Sequence, residues 1–268
     1  MGGRDTHTNN SLTYWYTNAD SLVNKIVDLN CRLINAKNRP DIILITEARP
    51  KNNRYETEEA DYKINGYEIH TQMFINKKGR GYLIYTNSDL TVMDIKLVNQ
   101  YHDSTMITVK IDTGNTITIG NIYRSPNNSN EDNNMIMNYI KEASNEDKSN
   151  LILVGDFNFP NINWETWVTK TENTESQDYL FLECIRDAYL TQHITENTRA
   201  RGADTPHLLD LILSNDENII SNISYEAPLG KSDHSLIIFN INHTPQKTLE
   251  HAENSFTIKE TMIRLGKA

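Results

Sequence analysis

Four short runs in this chain are apolar almost without interruption, and each carries a carboxylate at or near one end. DIILITE closes on Glu47, NLILVGD closes on Asp156, LLDLIL contains Asp210, and SDHSLIIF has Asp233 as its second residue. Short unbroken aliphatic runs between polar turns predict strands covered on both faces. An ionised carboxylate at the edge of such a strand is costly unless it is paired, hydrogen-bonded or bound to a cation. A single such acid is ordinarily a turn former or strand-end cap. Four of them, with Asn18, Asn158 and His234 at similar strand ends, predict a sheet edge where polar side chains converge, the usual position of sites in α/β folds.

The segments between these runs suggest how the strands are arranged. Residues 1–11 have no periodicity and read as a disordered lead. A strand is predicted over Leu12–Ala19, followed by a helix over 20–38. That helix would place Leu22, Val23, Ile26, Leu29, Leu33 and Ile34 on one face, with Asp20 or Ser21 as its cap and Pro40 beyond its end. From Tyr67 to Arg124 the chain reads as serial hairpin strands: YEIHTQMF, GYLIYTNS, TVMDIKLV, TMITVKID and NTITIGNIYR. Helices are predicted over 131–143 and around Leu180–Leu190, and further strands in HLLDLILS, ENIISNISYE and SDHSLIIFNI. Two strand sets with crossover helices predict an α/β four-layer sandwich of two similar halves, with two mostly antiparallel β-sheets packed face to face and helices outside. One domain is expected over 12–243, and 244–268 reads as a polar linker toward a further C-terminal region. Tyr14, Trp15 and Tyr16 alternate as strand core. The aromatic stretch Phe159–Trp167 fits either packing or nucleic-acid contact.

Composition excludes several classes. The 268 residues carry 26 Lys+Arg against 36 Asp+Glu, a formal net charge of -10, which rules out a binder that holds nucleic acid by global positive charge. The two cysteines, Cys31 and Cys184, have no zinc-site spacing and read as reduced core residues. No apolar run approaches the roughly 20 residues needed to cross a bilayer. A soluble intracellular protein with no membrane partner is expected.

A cluster of carboxylates and amide oxygens suits a hard cation, Mg²⁺ or Mn²⁺, rather than zinc. Such a cation suits a phosphate substrate, and His234, its tautomer fixed by Asp210, could orient or donate to that phosphate.

The motifs YTNADSL (Asn18, Asp20), LITEARP (Glu47), NIYRSPN (Tyr123), VGDFN (Asp156, Asn158), LLDLILS (Asp210) and GKSDHSL (Asp233, His234) occur in this order over nearly the whole domain. In this they resemble the endonuclease/exonuclease/phosphatase superfamily, which includes DNase I and the abasic-site endonucleases. GDFNFPNINWETW and NIYRSPN look most like the endonuclease domain of non-LTR retrotransposons (LINE elements) of the jockey and chicken-repeat type. The resemblance implies Glu47 as principal metal ligand, Asp20 and Asp233 as acidic contributors, and Asn18 in support. It implies that Asp156 orients or deprotonates the attacking water and that Asn158 holds the water or a phosphate oxygen. Tyr123 would donate to the phosphate, and His234 with Asp210 would stabilise the phosphorane. Ser21 stands where the family pattern usually has glycine.

The expectation is a Mg²⁺-dependent endonuclease that nicks double-stranded target DNA, leaving a 5′-phosphate and a 3′-hydroxyl for target-primed reverse transcription. It would act in the nucleus, joined covalently to a reverse transcriptase in the full-length protein, and be a monomer as an isolated domain. Candidate DNA contacts are Arg124, Arg199, Arg201 and Lys231, and the basic turn Lys77, Lys78 and Arg80 reads as either a solvated hairpin tip or a DNA contact. The alternatives are a phosphoesterase acting on a lipid or inositol phosphate, and a catalytically silent DNA-binding module.

Overall fold

The computed structural model describes residues 11–51, 56–75, 78–94, 97, 100–111, 115–145, 150–171 and 173–243. The expected linker 244–268, residues 1–10 of the expected lead, and Lys77 lie outside the described residues. Ser11, assigned above to the lead, is instead the first residue of a strand.

The strands run β1 (Ser11–Asn18), β2 (Ile42–Thr46), β3 (Tyr67–His70), β4 (Tyr82–Asn87), β5 (Thr91–Asp94), β6 (Ser104–Lys110) and β7 (Thr116–Tyr123). They continue as β8 (Asn150–Asp156), β9 (Ile162–Asn163), β10 (Val168–Thr169), β11 (Thr191–Gln192), β12 (Asp210–Ser214), β13 (Ile220–Glu226) and β14 (Leu236–Asn242). The helices are α1 (Ile26–Asn35), α2 (Asn130–Ser144) and α3 (Gln177–Asp187). One six-stranded sheet has the order β13-β14-β1-β2-β4-β3 and the other β11-β12-β8-β7-β6-β5. In each sheet the two central strands are parallel, β1 with β2 and β7 with β8, and every other pairing is antiparallel. A parallel neighbour requires a crossover, and α1 and α2 supply it in the two halves.

Strand alternation builds the layers. Tyr14, Tyr16, Ile42, Leu44 and Ile84 of the first sheet meet Ile107, Val109, Ile119, Ile152, Val154 and Ile212 of the second in one buried cluster. The intervening residues Trp15, Ile43, Ile45, Leu83 and Tyr85 face outward and are covered by Leu29 and Leu33 of α1 and by Tyr62. On the far side Ile122, Leu151, Leu153, Leu211 and Leu213 are covered by α2 and α3. This is the four-layer α/β sandwich that the strand pattern predicts. Tyr14, Trp15 and Tyr16 are core as expected. Phe159 and Trp164 are also packing residues: Phe159 stacks on Phe181 with ring centroids 4.4 Å apart, and Trp164 meets the same ring edge-on.

Three local expectations are corrected. The first helix begins at Ile26 after a 3-10 turn at Val23–Lys25, and neither Asp20 nor Ser21 caps it. Both instead have positive φ, 38° and 79°, so the chain turns sharply there and cannot yet be helical. Ile34 is 81% exposed, because at about 100° per residue it lies off the face on which Leu29 and Leu33 meet the sheet. Cys31 lies on the same exposed side, while Cys184 is buried, and both are free thiols.

Two polar clips fix the sheets against each other at one end. Asn121 of β7 donates from Nδ2 to the carbonyls of Ile45 (2.9 Å) and Leu83 (3.0 Å) in the facing sheet. Gly155 allows β8 to lie close against β7: a Cβ there would stand 1.8 Å from the Ile122 carbonyl oxygen. That explains the glycine immediately before Asp156.

Candidate active site

The carboxyl ends of the two parallel pairs lie on the same side of the sandwich, and the polar residues read from the sequence collect there. Asn18, the last residue of β1, bridges the sheets: its Nδ2 donates to Glu47 Oε1 (3.0 Å) just past β2 and to Asp156 Oδ2 (2.8 Å) at the end of β8. Its Oδ1 accepts from the Asp20 backbone N–H at 3.0 Å. Every polar group of that side chain is thereby used for orientation. Tyr123, the last residue of β7, is hydrogen-bonded to Glu47. Its phenol is held protonated by burial first and then by the charges of Glu47 and Asp156.

His234 is buried beside two acids. Its Nδ1 lies 2.7 Å from Asp210 Oδ2. Its Nε2 stands 3.7 Å from Asp156 and 3.9 Å from Asp233, beyond hydrogen-bond distance of either. Burial alone would lower the imidazole pKa, but Asp210 and Asp156 outweigh it and push it up to about 10. His234 is therefore an imidazolium at neutral pH, with the Nε2 proton available to a ligand. Asp156 moves upward to about 7, chiefly because it is fully buried, with the neighbouring Asp210 and Glu47 adding to the effect against His234. Asp156, Asp210 and His234 bring ligand atoms within 4.8 Å of one another, a spacing that could hold a metal ion. Within that trio the 2.7 Å contact commits His234 Nδ1 to Asp210, so the two form a hydrogen-bonded pair beside Asp156.

Four residues at the site have positive φ without being glycine: Asp20 (38°), Ser21 (79°), Glu47 (48°) and Asn158 (49°). Backbone held in this region by its surroundings is a mark of functional sites. The Ser21 value also accounts for the glycine at that place in the family pattern.

Asp20 and Glu47 share a partner the sequence did not point to. Arg80, read above as part of a basic hairpin tip, turns inward, and its Nη2 lies 2.6 Å from Glu47 Oε2 and 2.8 Å from Asp20 Oδ1. Lys25 adds a second cation, donating to the carbonyls of Ala19 and Asp20. The Lys25 ammonium is lowered by burial, against the opposing pull of Asp20 and Glu47. The donors here are carboxylate and amide oxygens, the set a hard divalent cation takes. Asp233 is drawn to the rim, where Arg199 Nε and Nη2 both approach its Oδ2 at 2.9 Å.

The remaining candidates separate by burial. Arg201 and Lys231 are exposed, and Lys78 is exposed with its carbonyl accepting from Arg49. Arg124 is corrected: it is buried, with its Nε on Asn133 Oδ1 (2.8 Å), Nη1 on the Asn158 carbonyl (2.9 Å) and its guanidinium 4.0 Å over the Phe159 ring. It anchors the GDFN turn through its Nε and Nη1. Asn158 returns the contact, donating from Nδ2 to the Arg124 carbonyl at 2.8 Å. Sequence reading also missed Tyr16, whose hydroxyl donates to Asp210 Oδ1 at 2.7 Å.

Comparison with solved structures agrees with this fold. The endonuclease domain of TRAS1, a telomere-specific non-LTR retrotransposon, superposes with a TM-score of 0.62 at 15% identity, over 87% of this chain and 98% of that one. The AP endonuclease LMAP from Leishmania major superposes at 0.63 and 12% identity, over 87% and 88%. The inositol polyphosphate 5-phosphatase domain of SPsynaptojanin superposes at 0.50 and 13%, over 87% and 84%. This chain has the DNase I-like fold shared by the solved endonuclease/exonuclease/phosphatase proteins. Within it, the family described as endonuclease-reverse transcriptase matches residues 117–238. No curated protein matches the chain in sequence. No helix among the described residues is long and apolar enough to cross a membrane.

Proposed function

We propose that this domain is a divalent-metal-dependent DNA endonuclease that nicks duplex target DNA for a non-LTR retrotransposon, leaving a 5′-phosphate and a 3′-hydroxyl from which reverse transcription is primed. The observation that carries the reading is the convergence of Asn18, Glu47, Asp156 and the Asp210–His234 pair at one edge of the two sheets. The match to the endonuclease-reverse transcriptase family supports the nuclease over a phosphatase on the same fold.

Glu47 and Asp20, with Asp233 alongside, are the residues that would hold Mg²⁺ or Mn²⁺, and the ion would supply Lewis-acid stabilisation of the phosphate and leaving oxygen. The chain's own groups do the rest. Asp156, fixed by Asn18, accepts a proton from the attacking water, and its raised pKa suits a base working near neutrality. The Nε2 proton of His234 neutralises charge building on the phosphoryl oxygens, while Asp210 keeps the ring charged and oriented. Tyr123, protonated throughout, offers its hydroxyl to the same phosphate. Exposed Arg201 and Lys231 would grip the DNA backbone, with Arg199 at the rim. In the full-length protein a linked reverse transcriptase would use the new 3′ end in the nucleus.

The test is incubation with supercoiled plasmid and Mg²⁺, with EDTA, Glu47→Ala and His234→Ala as controls. Relaxed circles that need the metal and are lost in both variants are the expected result. Plasmid left supercoiled under Mg²⁺ and Mn²⁺, together with orthophosphate released from inositol phosphates, would replace the nuclease with the phosphatase.

A further inference from the structure

We infer that Arg80 is an internal counter-ion of the carboxylate site, which a divalent cation must displace in order to bind Glu47 and Asp20. The inference rests on the metal-binding reading above and concerns what opposes the ion. A single nitrogen, Arg80 Nη2, holds Glu47 Oε2 at 2.6 Å and Asp20 Oδ1 at 2.8 Å. The other Glu47 oxygen is committed to Asn18. A cation drawing on the same two acids has to take oxygens that the guanidinium now holds.

The arrangement around Arg80 favours exchange over a permanent ion pair. Its Nε is buried with no hydrogen-bond partner, so the side chain is held at the acids by charge and leaves one donor unsatisfied to reach them. A structural arginine ordinarily uses its Nε as well as its terminal nitrogens, as Arg124 does with Nε on Asn133 and Nη1 on the Asn158 carbonyl. The backbone of Arg80, in contrast, is pinned. Its N–H and that of Gly81 donate to Asp103 Oδ2 (3.3 Å) and Oδ1 (3.1 Å), and its carbonyl accepts from Arg49 N–H at 2.8 Å. Gly79 has a φ of +77°, and a Cβ there would stand 2.0 Å from Asp103 Oδ2, so the turn tolerates only glycine. With the main chain fixed, the side chain alone can move. Lys25 cannot take its place, because its ammonium is already bound by the carbonyls of Ala19 and Asp20.

The experiment is a Mn²⁺ titration of the full chain in the absence of nucleic acid, with free ion counted by electron paramagnetic resonance. The wild type, Arg80→Met, Arg80→Lys and Glu47→Gln are compared. Removing the competing charge should tighten Mn²⁺ binding about tenfold in Arg80→Met, a one-unit effect of the kind a neighbouring charge produces. Arg80→Lys should stay near wild type, and Glu47→Gln should lose binding. If Arg80→Met fails to fold by circular dichroism, Arg80→Gln carries the same expectation. Mn²⁺ binding that Glu47→Gln abolishes but removal of the Arg80 charge leaves unchanged or weakens overturns the counter-ion alone. Absence of Mn²⁺ binding in every variant overturns the metal site and the counter-ion together.

Discussion

Tyr16 and Asp210 meet across the gap between the two sheets, the phenol of β1 donating to the carboxylate of β12 at 2.7 Å. The other oxygen of Asp210 holds His234, so the tyrosine sets the acid that sets the histidine. Tyr16→Phe keeps the ring that fills the inter-sheet core and deletes this donor together with the hydroxyl's 3.2 Å hydrogen bond to Thr46 Oγ1. It should cost about 1–3 kcal/mol of unfolding free energy, the usual penalty for leaving a buried acceptor short of a partner. Urea denaturation measures this. The nicking kcat should fall with KM little changed, since no substrate contact is removed.

Ser21 should be better as glycine. At φ +79° a side chain is strained, and Ser21 has only a long 3.3 Å bond from Asn24 Nδ2 in compensation. Ser21→Gly is expected to raise stability by about 1 kcal/mol, the relief of one left-handed non-glycine residue, with activity retained. An equal or lower melting temperature would show that the surrounding turn repays the strain.

The pH dependence follows from Asp156 and His234. Asp156 acts as a base only when ionised, and its upward displacement to about 7 places the rising limb of the nicking rate there. His234 acts only when protonated, so the rate should fall as pH climbs through about 10. The same displacement of His234 stabilises the fold. A pKa raised on folding gives stability that is complete below the unfolded value near 6.5 and is lost as pH rises through about 10. Melting temperatures of wild type and His234→Gln should therefore converge between pH 7 and pH 10, read by a thermal melt at each pH.

The basic residues should divide in a binding assay. Arg201→Ala and Lys231→Ala, both exposed, should each weaken duplex binding and lower the salt slope by about one, without changing where DNA is cut. Arg124→Met should lower the melting temperature and leave the salt slope as it was, because its guanidinium is spent on Asn133, the Asn158 carbonyl and the Phe159 ring. Filter binding across a salt series, paired with thermal melts, distinguishes the two.

The layers and most of the site were legible because both are written in local pattern. An apolar run ending in an acid shows the strand and its functional end together, as at Glu47 and Asp156. What stayed hidden depends on contacts with no local signature. Arg80 reaches Asp20 from 60 positions away and Tyr16 reaches Asp210 from 194, so one looked like a turn charge and the other like core. Arg124 misled in the opposite direction: next to Tyr123 in the sequence, it points back beneath the GDFN turn instead of outward. The start of α1 was misplaced because strain at Asp20 and Ser21 overrides the apolar periodicity that continues through them.

β1 pairs with β14 from Ser11 opposite Asn242 to Tyr16 opposite Ile237, so the first strand of the fold is completed by the last. Asp233 and His234 sit just ahead of that final strand. On a ribosome Glu47, Asp156 and Asp210 would emerge while one flank of β1 is still unpaired and no imidazole stands beside Asp210. The site would thus be completed abruptly, once β14 has emerged and closed the sheet, so that the hydrolytic activity proposed above would not arise before this domain has folded.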